Sequence, residues 1–474
     1  MAKINSMMDV GKRAMMNSQT ALQTVGHNIA NKSTEGFSRQ RIETQTNIPI
    51  SEGRYQVGMG AKTSSVTRIN DIFLEKQLRF EGTQLGFEQA KSDAMTRVEQ
   101  IYNEQMNKGL NQSIGEFFNS FRELATNPES TATRTLVRDT AKFVTKDFAK
   151  AVASLRAIQG ELDQQVTQQV GQINAFGKEI AQLNEKIAAI EISGAPANDQ
   201  RDRRDLLIKK MSEMANVRVT EAGNGMISVT VGNSGIIVSG NSSNEITSGR
   251  VENKNGREGI RNAIFIQPAV GADPMNITKE IKNGSLGGIF EVRDVAINSL
   301  LDDVDELAFS FINGVNGIHR QGFDAFSNPG GALFAPLQNK IEAAQNMGLD
   351  AAVAKDPGRI VAGIMPNAPG DNRIANMIGE LQQQRVMEQG TTTYDEFYNS
   401  IVGKVGIATE KANRSAESQK NIHAQLENIR DSVSGVSLDE EATKMIEFQK
   451  TFDASAKLIQ TADEMFDTIL AMKR

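Results

Sequence analysis

Residues 4–29, INSMMDVGKRAMMNSQTALQTVGHNI, and residues 445–469, MIEFQKTFDASAKLIQTADEMFDTI, carry one shared pattern near the two ends of this 474-residue sequence. In both stretches apolar or small residues recur at steps of three and four, the spacing of a coiled-coil seam. The seam positions are Ile4, Met8, Gly11, Met15, Ser18, Leu22, Val25 and Ile29, and then Met445, Phe448, Phe452, Ser455, Ile459, Ala462, Phe466 and Ile469. A single helix cannot bury such a stripe alone. We therefore expect the two stretches to pack against each other and against neighbouring molecules.

Further inward, helical patterns enclose a short β-rich stretch. The sequence predicts extended segments over 41–46 and 55–67, then helices over about 71–107, 112–126, 134–192 and 200–215, with Asp71 as an N-cap. From Val217 onward, apolar and polar residues alternate between Gly-Asn turns, which is typical of strands and hairpins. Helical spacing returns at 285, and residues 322–372 are rich in loop residues and proline.

A second long heptad pattern lies before the final helix. Its positions are Ile401, Val405, Ala408, Ala412, Ser415, Gln419, Ile422, Leu426, Ile429, Val433 and Val436. Heptads sustained over this length predict a helix that is paired along its whole length.

These patterns predict a mainly α protein with a β domain, in three nested regions. We expect residues 1–65 and 433–474 to form a terminal region of coiled-coil helices. Residues 66–215 and 285–432 are expected to form a long helical bundle, and residues 216–284 a small β-rich outer domain.

Composition excludes several classes of function. The net charge is −6, with Lys and Arg spread along the chain, so no nucleic-acid footprint is expected. The absence of Cys excludes disulfides and thiolate metal sites, and it suits a protein that crosses compartments. No apolar run is long enough for membrane insertion, and the first residues lack the apolar stretch of a secretory signal. An extracellular location would therefore need export without a cleaved signal peptide.

The motifs of catalysis and cofactor binding are also missing from the sequence. The three histidines lie far apart without metal-ligand spacing, and the Gly58–Thr63 stretch lacks the spacing of a phosphate-binding loop. We therefore expect no catalytic, cofactor-binding or metal-binding residues, no cofactor and no enzyme activity. The charged run DQRDRRD at 199–205 predicts a solvent-exposed helix face.

Two stretches resemble the terminal signatures of bacterial flagellar axial proteins. The first is 20–41, and its matching residues are His27, Asn28, Ile29, Ala30, Asn31, Thr34, Gly36, Phe37, Ser38, Arg39 and Gln40. The family pattern usually has Tyr where this chain has Phe37, so a hydroxyl is lost there. The second is 435–470, carried by Leu438, Asp439, Glu440, Glu441, Phe448, Gln449, Ala454, Ala456, Gln460, Thr461, Ala462, Phe466 and Asp467.

Within that group the chain resembles most the hook-associated protein 1 (FlgK) family of hook-filament junction proteins. The Ser-Arg-Gln after Phe37 and the Leu-Asp-Glu-Glu at 438–441 favour it. Interior matches are Ser285, Leu286, Gly287, Gly288, Ile289, Arg293, Leu307, Ala308, Phe311, Asn316, His319, Gly322, Asp324, Asp371, Asn372 and Arg373. The inserted outer domain of larger relatives is absent, and a short loop-rich stretch, 325–371, takes its place.

The resemblance implies a structural subunit that forms a junction ring between hook and filament and is needed for filament assembly. The implied partners are the hook protein, the second hook-filament junction protein, further copies of the same chain in a ring, and an export chaperone. The implied location is the extracellular flagellum, reached by type III export. Two alternatives stay open: a hook or rod axial subunit, and a surface enzyme or adhesin that uses the β region.

The residues expected to serve assembly come from both terminal signatures. They are Leu22, Val25, Asn28, Ile29, Asn31, Phe37, Arg39, Leu438, Phe448, Phe452, Ile459, Phe466 and Ile469. For Asn28 and Asn31 two roles are open, hydrogen bonding across a turn or simple capping of a helix end.

Overall fold

The computed structural model describes residues 2–52, 55–102, 109–252, 260–267 and 273–472, and most of them are helical. The helices are α1 (Ala2–Ala30), α2 (Ile72–Tyr102), α3 (Leu110–Thr126), α4 (Thr131–Glu191), α5 (Asn198–Met214), α6 (Gly284–Phe290), α7 (Ile297–His319), α8 (Ala343–Asn346), α9 (Ala351–Lys355), α10 (Arg373–Leu381), α11 (Tyr394–Ser434) and α12 (Leu438–Met472). A π-helical segment, Glu291–Ala296, joins α6 to α7. Short 3₁₀ turns occupy Thr278–Glu280 and Pro357–Arg359.

The strands form four small antiparallel sheets within the described residues. They are β1 (Gln40–Thr46), β2 (Ile50–Glu52), β3 (Tyr55–Val57), β4 (Ala61–Arg68), β5 (Val217–Glu221), β6 (Ile227–Val231), β7 (Gly235–Ser239), β8 (Ser242–Ser243), β9 (Ile246–Glu252), β10 (Ile260–Ile266) and β11 (Met275–Asn276). The pairings are β1 with β4, β2 with β3, β5 to β8 in chain order, and β9 with β10 and β11.

The two terminal helices pack against each other in antiparallel orientation, as the seam spacing predicts. A β-carbon at Gly11 would lie 2.6 Å from Ile459 Cγ1, so the two helix axes approach closely there. At the other end of the pair, Asn28 reaches Glu441 at the start of α12. Asp439, Glu440 and Glu441 occupy the first turn of α12, where negative charge is favoured by the helix dipole.

The helical body is built around a cluster of phenylalanines. Its members come from α3, α4, α7 and the loop after α7, and they are Phe117, Phe118, Phe121, Phe148, Phe311 and Phe334, all fully buried. The ring of Phe117 contacts those of Phe118 and Phe121 edge-on, with centroids 5.3 and 5.2 Å apart. Edge-to-face contacts of this kind add to the energy of apolar burial.

The β-rich stretch packs directly on α4. Alternate residues of β6, namely Ile227, Val229 and Val231, are buried and join the same hydrophobic core as the helices. Gly177 of α4 allows close contact, because a β-carbon there would lie 2.5 Å from Ile237 Cγ2. The Asn184 side chain donates to the Ile227 and Gly240 carbonyls, at 2.8 and 2.7 Å.

The loop-rich stretch after α7 folds back onto the body through buried polar anchors. Asn316 donates to the Phe334 carbonyl and accepts from the Leu333 N–H. His319 is fully buried and uses both ring nitrogens, Nδ1 toward the Gly331 carbonyl and Nε2 toward the Val361 N–H.

The prediction of which residues of α11 are buried is wrong in part. Ile401, Val405, Ala412 and Leu426 are buried as predicted. Ala408, Ile422, Ile429 and Val433 are exposed, whereas Thr409, Ala416 and His423, which lie outside the predicted pattern, are buried. A straight helix has 3.6 residues per turn, so positions that repeat strictly every seven residues drift around its surface. The residues that face the neighbouring helices therefore leave the predicted heptad positions toward the end of α11.

The prediction of a solvated face for the charged run in α5 is also wrong. Asp202 and Arg204 are buried, because α5 lies between α2 and α4 and each charge meets a partner. Arg204 Nη1 donates to the Asn184 Oδ1 and to the Gly225 carbonyl, at 2.9 and 2.8 Å.

Candidate assembly interface at the paired terminal helices

The β1–β4 hairpin lies along α1 and is hydrogen-bonded to it at several points, the first of them Asn17. Asn17 Nδ2 donates to the Ala61 carbonyl at 2.8 Å, and Asn17 Oδ1 accepts from the Thr63 N–H at 3.0 Å. Arg13 also donates to the Met59 carbonyl. The hairpin therefore runs from the end of α1 back toward its beginning.

Asn28 links three segments of the chain. Its Nδ2 donates to the Gln40 carbonyl and to Glu441 Oε2, both at 2.9 Å, and its Oδ1 accepts from the Gln40 N–H at 2.9 Å. The side chain is buried, so each of these bonds forms away from water. Asn28 thus bonds across to other segments, whereas Asn31 caps α1 by donating to the His27 carbonyl.

Arg39 and Glu441 form the ionic centre of this joint, which we call the terminal joint. Arg39 Nε donates to Glu441 Oε1 at 2.8 Å, and Arg39 Nη1 lies 2.7 Å from Glu440 Oε2. Only 1% of the Glu441 side chain is exposed, whereas Glu440 is 61% exposed. The backbone adds a further tie, since the Arg39 N–H donates to the carbonyl of Ser434 at the end of α11.

A second ionic group joins the terminal joint to α5. The Ser38 N–H donates to Asp202 Oδ2 at 2.8 Å, and Arg68 Nη1 contacts Asp202 Oδ1 and Asp205 Oδ2. Burial raises the pKa of Asp202, although both partners favour its charged form. Burial alone would lower the pKa of Arg68, but Asp205 and Asp202 raise it above its usual value. Asp202 was missed from sequence because it sits in the run predicted to be solvated.

Phe37 is buried where the family pattern usually has Tyr. The rings of Phe37 and His27 meet edge-on with centroids 5.5 Å apart, and Arg430 of α11 donates to the Phe37 carbonyl at 3.0 Å. The position therefore contributes apolar contact and a backbone acceptor.

The seam residues of the predicted interface are buried to different extents. Val25 is buried, and Leu22 and Ile29 are half-buried. On α12, Phe448, Phe452, Ile459 and Phe466 are half-buried, whereas Leu438 and Ile469 are exposed, at 42% and 39%. The deepest apolar contact of α12 is made by small residues, Ser455 and Ala462, which let the helices approach closely. Part of the apolar stripe thus stays open in a single chain.

Among the residues that the structure describes, no group of three or more His, Asp and Glu is arranged to hold a metal ion. In the same residues, no helix combines the length and the apolar character that crossing a bilayer requires.

Family models match this chain in three places. The model described as flagellar hook-associated protein FlgK helical domain matches residues 95–334, which is about half of the chain. The model of flagellar basal body rod FlgEFG protein C-terminal matches 431–472, and that of the flagella basal body rod protein matches 8–37. The two rod-type matches therefore coincide with α12 and α1.

Two individual relatives are similar to this chain over nearly its full length, and a third over a quarter of it. Flagellar hook-associated protein 1 of Bacillus subtilis is 28% identical, and the alignment covers 98% of this chain and 97% of that protein. The hook-associated protein 1 of Escherichia coli is 24% identical, and the alignment covers 96% of this chain and 97% of that protein. The flagellar hook protein FlgE of Treponema pallidum is 33% identical, and the alignment covers 25% of this chain and 24% of that protein.

A solved structure shares the fold. The flagellar hook junction protein FlgK from Burkholderia pseudomallei superposes with a TM-score of 0.67 at 16% identity, over 76% of this chain and all of that one. With paired terminal helices that match rod-type models and a helical body that matches the FlgK model, the chain belongs to the flagellar hook-associated protein FlgK family.

Proposed function

We propose that this chain is the structural subunit of the junction between flagellar hook and filament, and the adaptor on which the filament assembles. The observation that carries the proposal is the antiparallel α1–α12 pair, with rod-type matches on both helices and a FlgK-type body between them. Helix pairs of this kind would pack side by side around the axis of a tube, each seam against its neighbours.

The open part of the α1–α12 stripe is the surface that neighbours would cover. Phe448, Phe452, Ile459 and Phe466 are half-buried in one chain, so a second pair packed alongside would bury their remaining apolar surface. Copies of the chain would then form a ring by head-to-tail contacts, which are heterologous. The terminal joint ties the pair to the end of α11 and to β1, so that each body would follow its pair into register.

We infer the finer organisation from the same features. Residues 1–65 and 433–474 would be the axial region, 66–215 and 285–432 the helical body, and 216–284 the outer β-rich region. The partners would be the hook protein on one side, the second hook-filament junction protein on the other, and an export chaperone before export. The subunit would reach the extracellular flagellum by type III export without a cleaved signal peptide.

A hook or rod subunit is the second candidate, and the local similarity to the Treponema pallidum hook protein FlgE supports it. The match of the FlgK helical-domain model to 95–334 and the near-full-length similarity to hook-associated proteins favour the junction role. A surface enzyme or adhesin has no comparable support, since the family is structural.

Deletion of the gene, followed by complementation, tests the junction role. The deletion strain should keep intact hooks, lack filaments and shed filament monomers into the medium, and the wild-type chain should restore motility. Loss of the hooks themselves would favour the hook or rod alternative. Labelling of the complemented cells should place the chain at the distal end of the hook.

A further inference from the structure

Helix α5 carries its charges in two separate rows. Successive residues of a helix are about 100° apart, so Asp199, Asp202 and Asp205 share one face of α5. Arg201 and Arg204 share another face, about 130° around the helix from the first. We call the three aspartates the acidic row and the two arginines the basic row. The mixed charges of this stretch of sequence thus separate by sign once the helix forms.

The acidic row holds the segment that leads into the terminal joint. Asp202 accepts from the Ser38 N–H at 2.8 Å and from Arg68 Nη1 at 2.9 Å. Asp199 Oδ1 accepts from Gln40 Nε2 at 2.7 Å. Gln40 and Arg68 lie opposite each other in the β1–β4 ladder. The acidic row therefore fixes the end of that hairpin which adjoins the terminal joint.

The basic row holds the hairpin formed by β5 and β6. Arg201 Nη1 lies 3.1 Å from Glu221 Oε1 at the end of β5. Arg204 Nη1 donates to the carbonyl of Gly225, in the turn of this hairpin, and to Asn184 Oδ1 of α4. A β-carbon at Gly225 would lie 3.1 Å from Arg201 Nη2, so the turn rests directly against the basic row.

The buried charge of Arg204 depends on charges around it. The residue is 2% exposed, and within the described chain no carboxylate is paired directly with it. Burial lowers the pKa of Arg204, and the positive charges of Arg201 and Arg68 lower it further. The negative charges of Asp205 and Glu221 oppose this effect. A buried cation bonded to neutral oxygens is costly unless negative charge lies nearby, so the acidic row supports the basic row through α5.

We propose that α5 couples the terminal joint to the β5–β6 hairpin, so that loosening either attachment loosens the other. Loss of the charge of Asp202 weakens the hold on Ser38 and leaves Arg68 with one carboxylate partner instead of two. The positive charge of Arg68 then destabilises Arg204 more strongly. A disturbance at the terminal helices thereby reaches the β-rich region. The inference goes beyond the proposed function, because the coupling needs only a single chain.

Hydrogen exchange of the full-length monomer, followed peptide by peptide, tests the coupling. Asp202→Asn keeps the size of the side chain and removes its charge. We expect the β5–β6 amides to exchange roughly fivefold faster or more, in addition to the amides of the terminal joint. Arg203→Gln is the matched control, because it also removes one charge from α5, but from an exposed ion pair with Glu179 outside both rows. It should leave β5–β6 exchange at the parental rate.

The coupling must also act in the opposite direction, since a coupling free energy is reciprocal. Arg204→Gln should therefore speed exchange of the β1 amides as well as those of β5 and β6. In the double variant, Asp202→Asn with Arg204→Gln, the accelerations should combine to less than their product, because the two residues act through one network.

Parental β5–β6 exchange in Asp202→Asn, with faster exchange at the terminal joint alone, would overturn the proposal, and so would equal acceleration in Arg203→Gln. If Asp202→Asn does not fold, Asp205→Asn replaces it, since that side chain is 36% exposed and acts on Arg204 without bonding Ser38. Parental β5–β6 exchange in Asp205→Asn would then refute the coupling. The proposed function is judged separately, by whether the unaltered chain restores filaments.

Discussion

At the scale of single residues, Glu441 is the acceptor on which the terminal joint depends. It receives Arg39 and Asn28 while almost fully buried, and its neighbour Glu440 binds the same arginine from an exposed position. Two adjacent glutamates of one helix turn therefore differ in their surroundings and not in their chemistry.

Replacement of Glu441 should be costly, and replacement of Glu440 should not. Glu441→Ala leaves Arg39 and Asn28 without their buried partner, and we expect a loss of about 3–5 kcal/mol in the stability of the joint. Glu440→Ala removes an exposed ion pair and should cost at most about 1 kcal/mol. Hydrogen exchange of the α1 and α12 amides measures the loss of stability in each variant. Equal protection in Glu441→Ala and Glu440→Ala would contradict the role assigned to Glu441.

His319 should make stability depend on pH. Burial lowers its pKa to about 4, against about 6.5 in the unfolded chain. Between these values the unfolded chain binds more protons, so stability rises with pH through this window and falls as the pH is lowered. The shift corresponds to about 3 kcal/mol.

Urea unfolding at pH 4.5 and at pH 7.5 tests this dependence. His319→Gln should unfold more easily at pH 7.5 and should lack this component of the difference between the two pH values. His27→Gln, which changes a partly exposed histidine, is the control and should keep the full difference. A difference between the two pH values that is as large in His319→Gln as in the parent would refute the assignment.

At the scale of elements, close contact between α1 and α12 depends on the absence of a side chain at one position. In Gly11→Val the new β-carbon meets Ile459, so the helices must separate, and overpacking of this kind costs about 1–3 kcal/mol. Gly26→Val is the matched control on the same helix, since nothing lies within 4 Å of a β-carbon there. We expect trypsin to cleave α12 faster in Gly11→Val than in the parent, and at the parental rate in Gly26→Val.

Assembly should depend on the face of α12 that bears Phe452. Phe452→Asp puts a charge into a half-buried seam position, which is costly unless the charge is paired. We expect a folded, exported protein that does not enter the junction, so that both it and filament monomers appear in the medium. Lys457→Glu changes an exposed residue and should be much milder. Normal filaments on Phe452→Asp cells would show that this face is not used.

Elements with strong local signals were predictable from the sequence. The N-cap of α2 is confirmed, with Asp71 Oδ1 accepting from the Phe73 and Leu74 N–H groups, and so is the pairing of α1 with α12. The buried side of α11 was not predictable, because the helix has apolar residues on two flanks and its partners decide which flank is covered. Asp202 was missed for a related reason, since a buried charge can be recognised only when its partner, Arg68, is known.

At the scale of the whole molecule, the core and the terminal pair differ in how much they bury. Helices α3, α4 and α7 share one continuous core with the β strands, whereas the buried residues of α12 are Glu441, Ser455 and Ala462. Regions with few buried apolar contacts open at low free energy. The terminal pair should therefore be the least stable part of an isolated subunit.

Limited proteolysis of the monomer measures this difference. Trypsin should cut first at exposed lysines of the terminal helices, such as Lys12, Lys450 and Lys457, and should leave a resistant fragment within about 66–432. The same sites should be protected in intact flagella, where neighbours cover the pair. Resistance of both termini in the dilute monomer would contradict the expectation.

The pairing of α1 with α12 also determines the order in which a subunit folds. Asn28 and Glu441 are 413 residues apart in sequence, whereas α3 and α4, which carry most of the phenylalanine cluster, follow each other directly in the chain. Contacts between distant residues form slowly, because closing a long loop costs conformational entropy before any contact is gained. The contacts between α3 and α4 should therefore form before α1 pairs with α12. Refolding followed by two probes, one in the phenylalanine cluster and one at the terminal joint, should show the cluster forming first and the joint last.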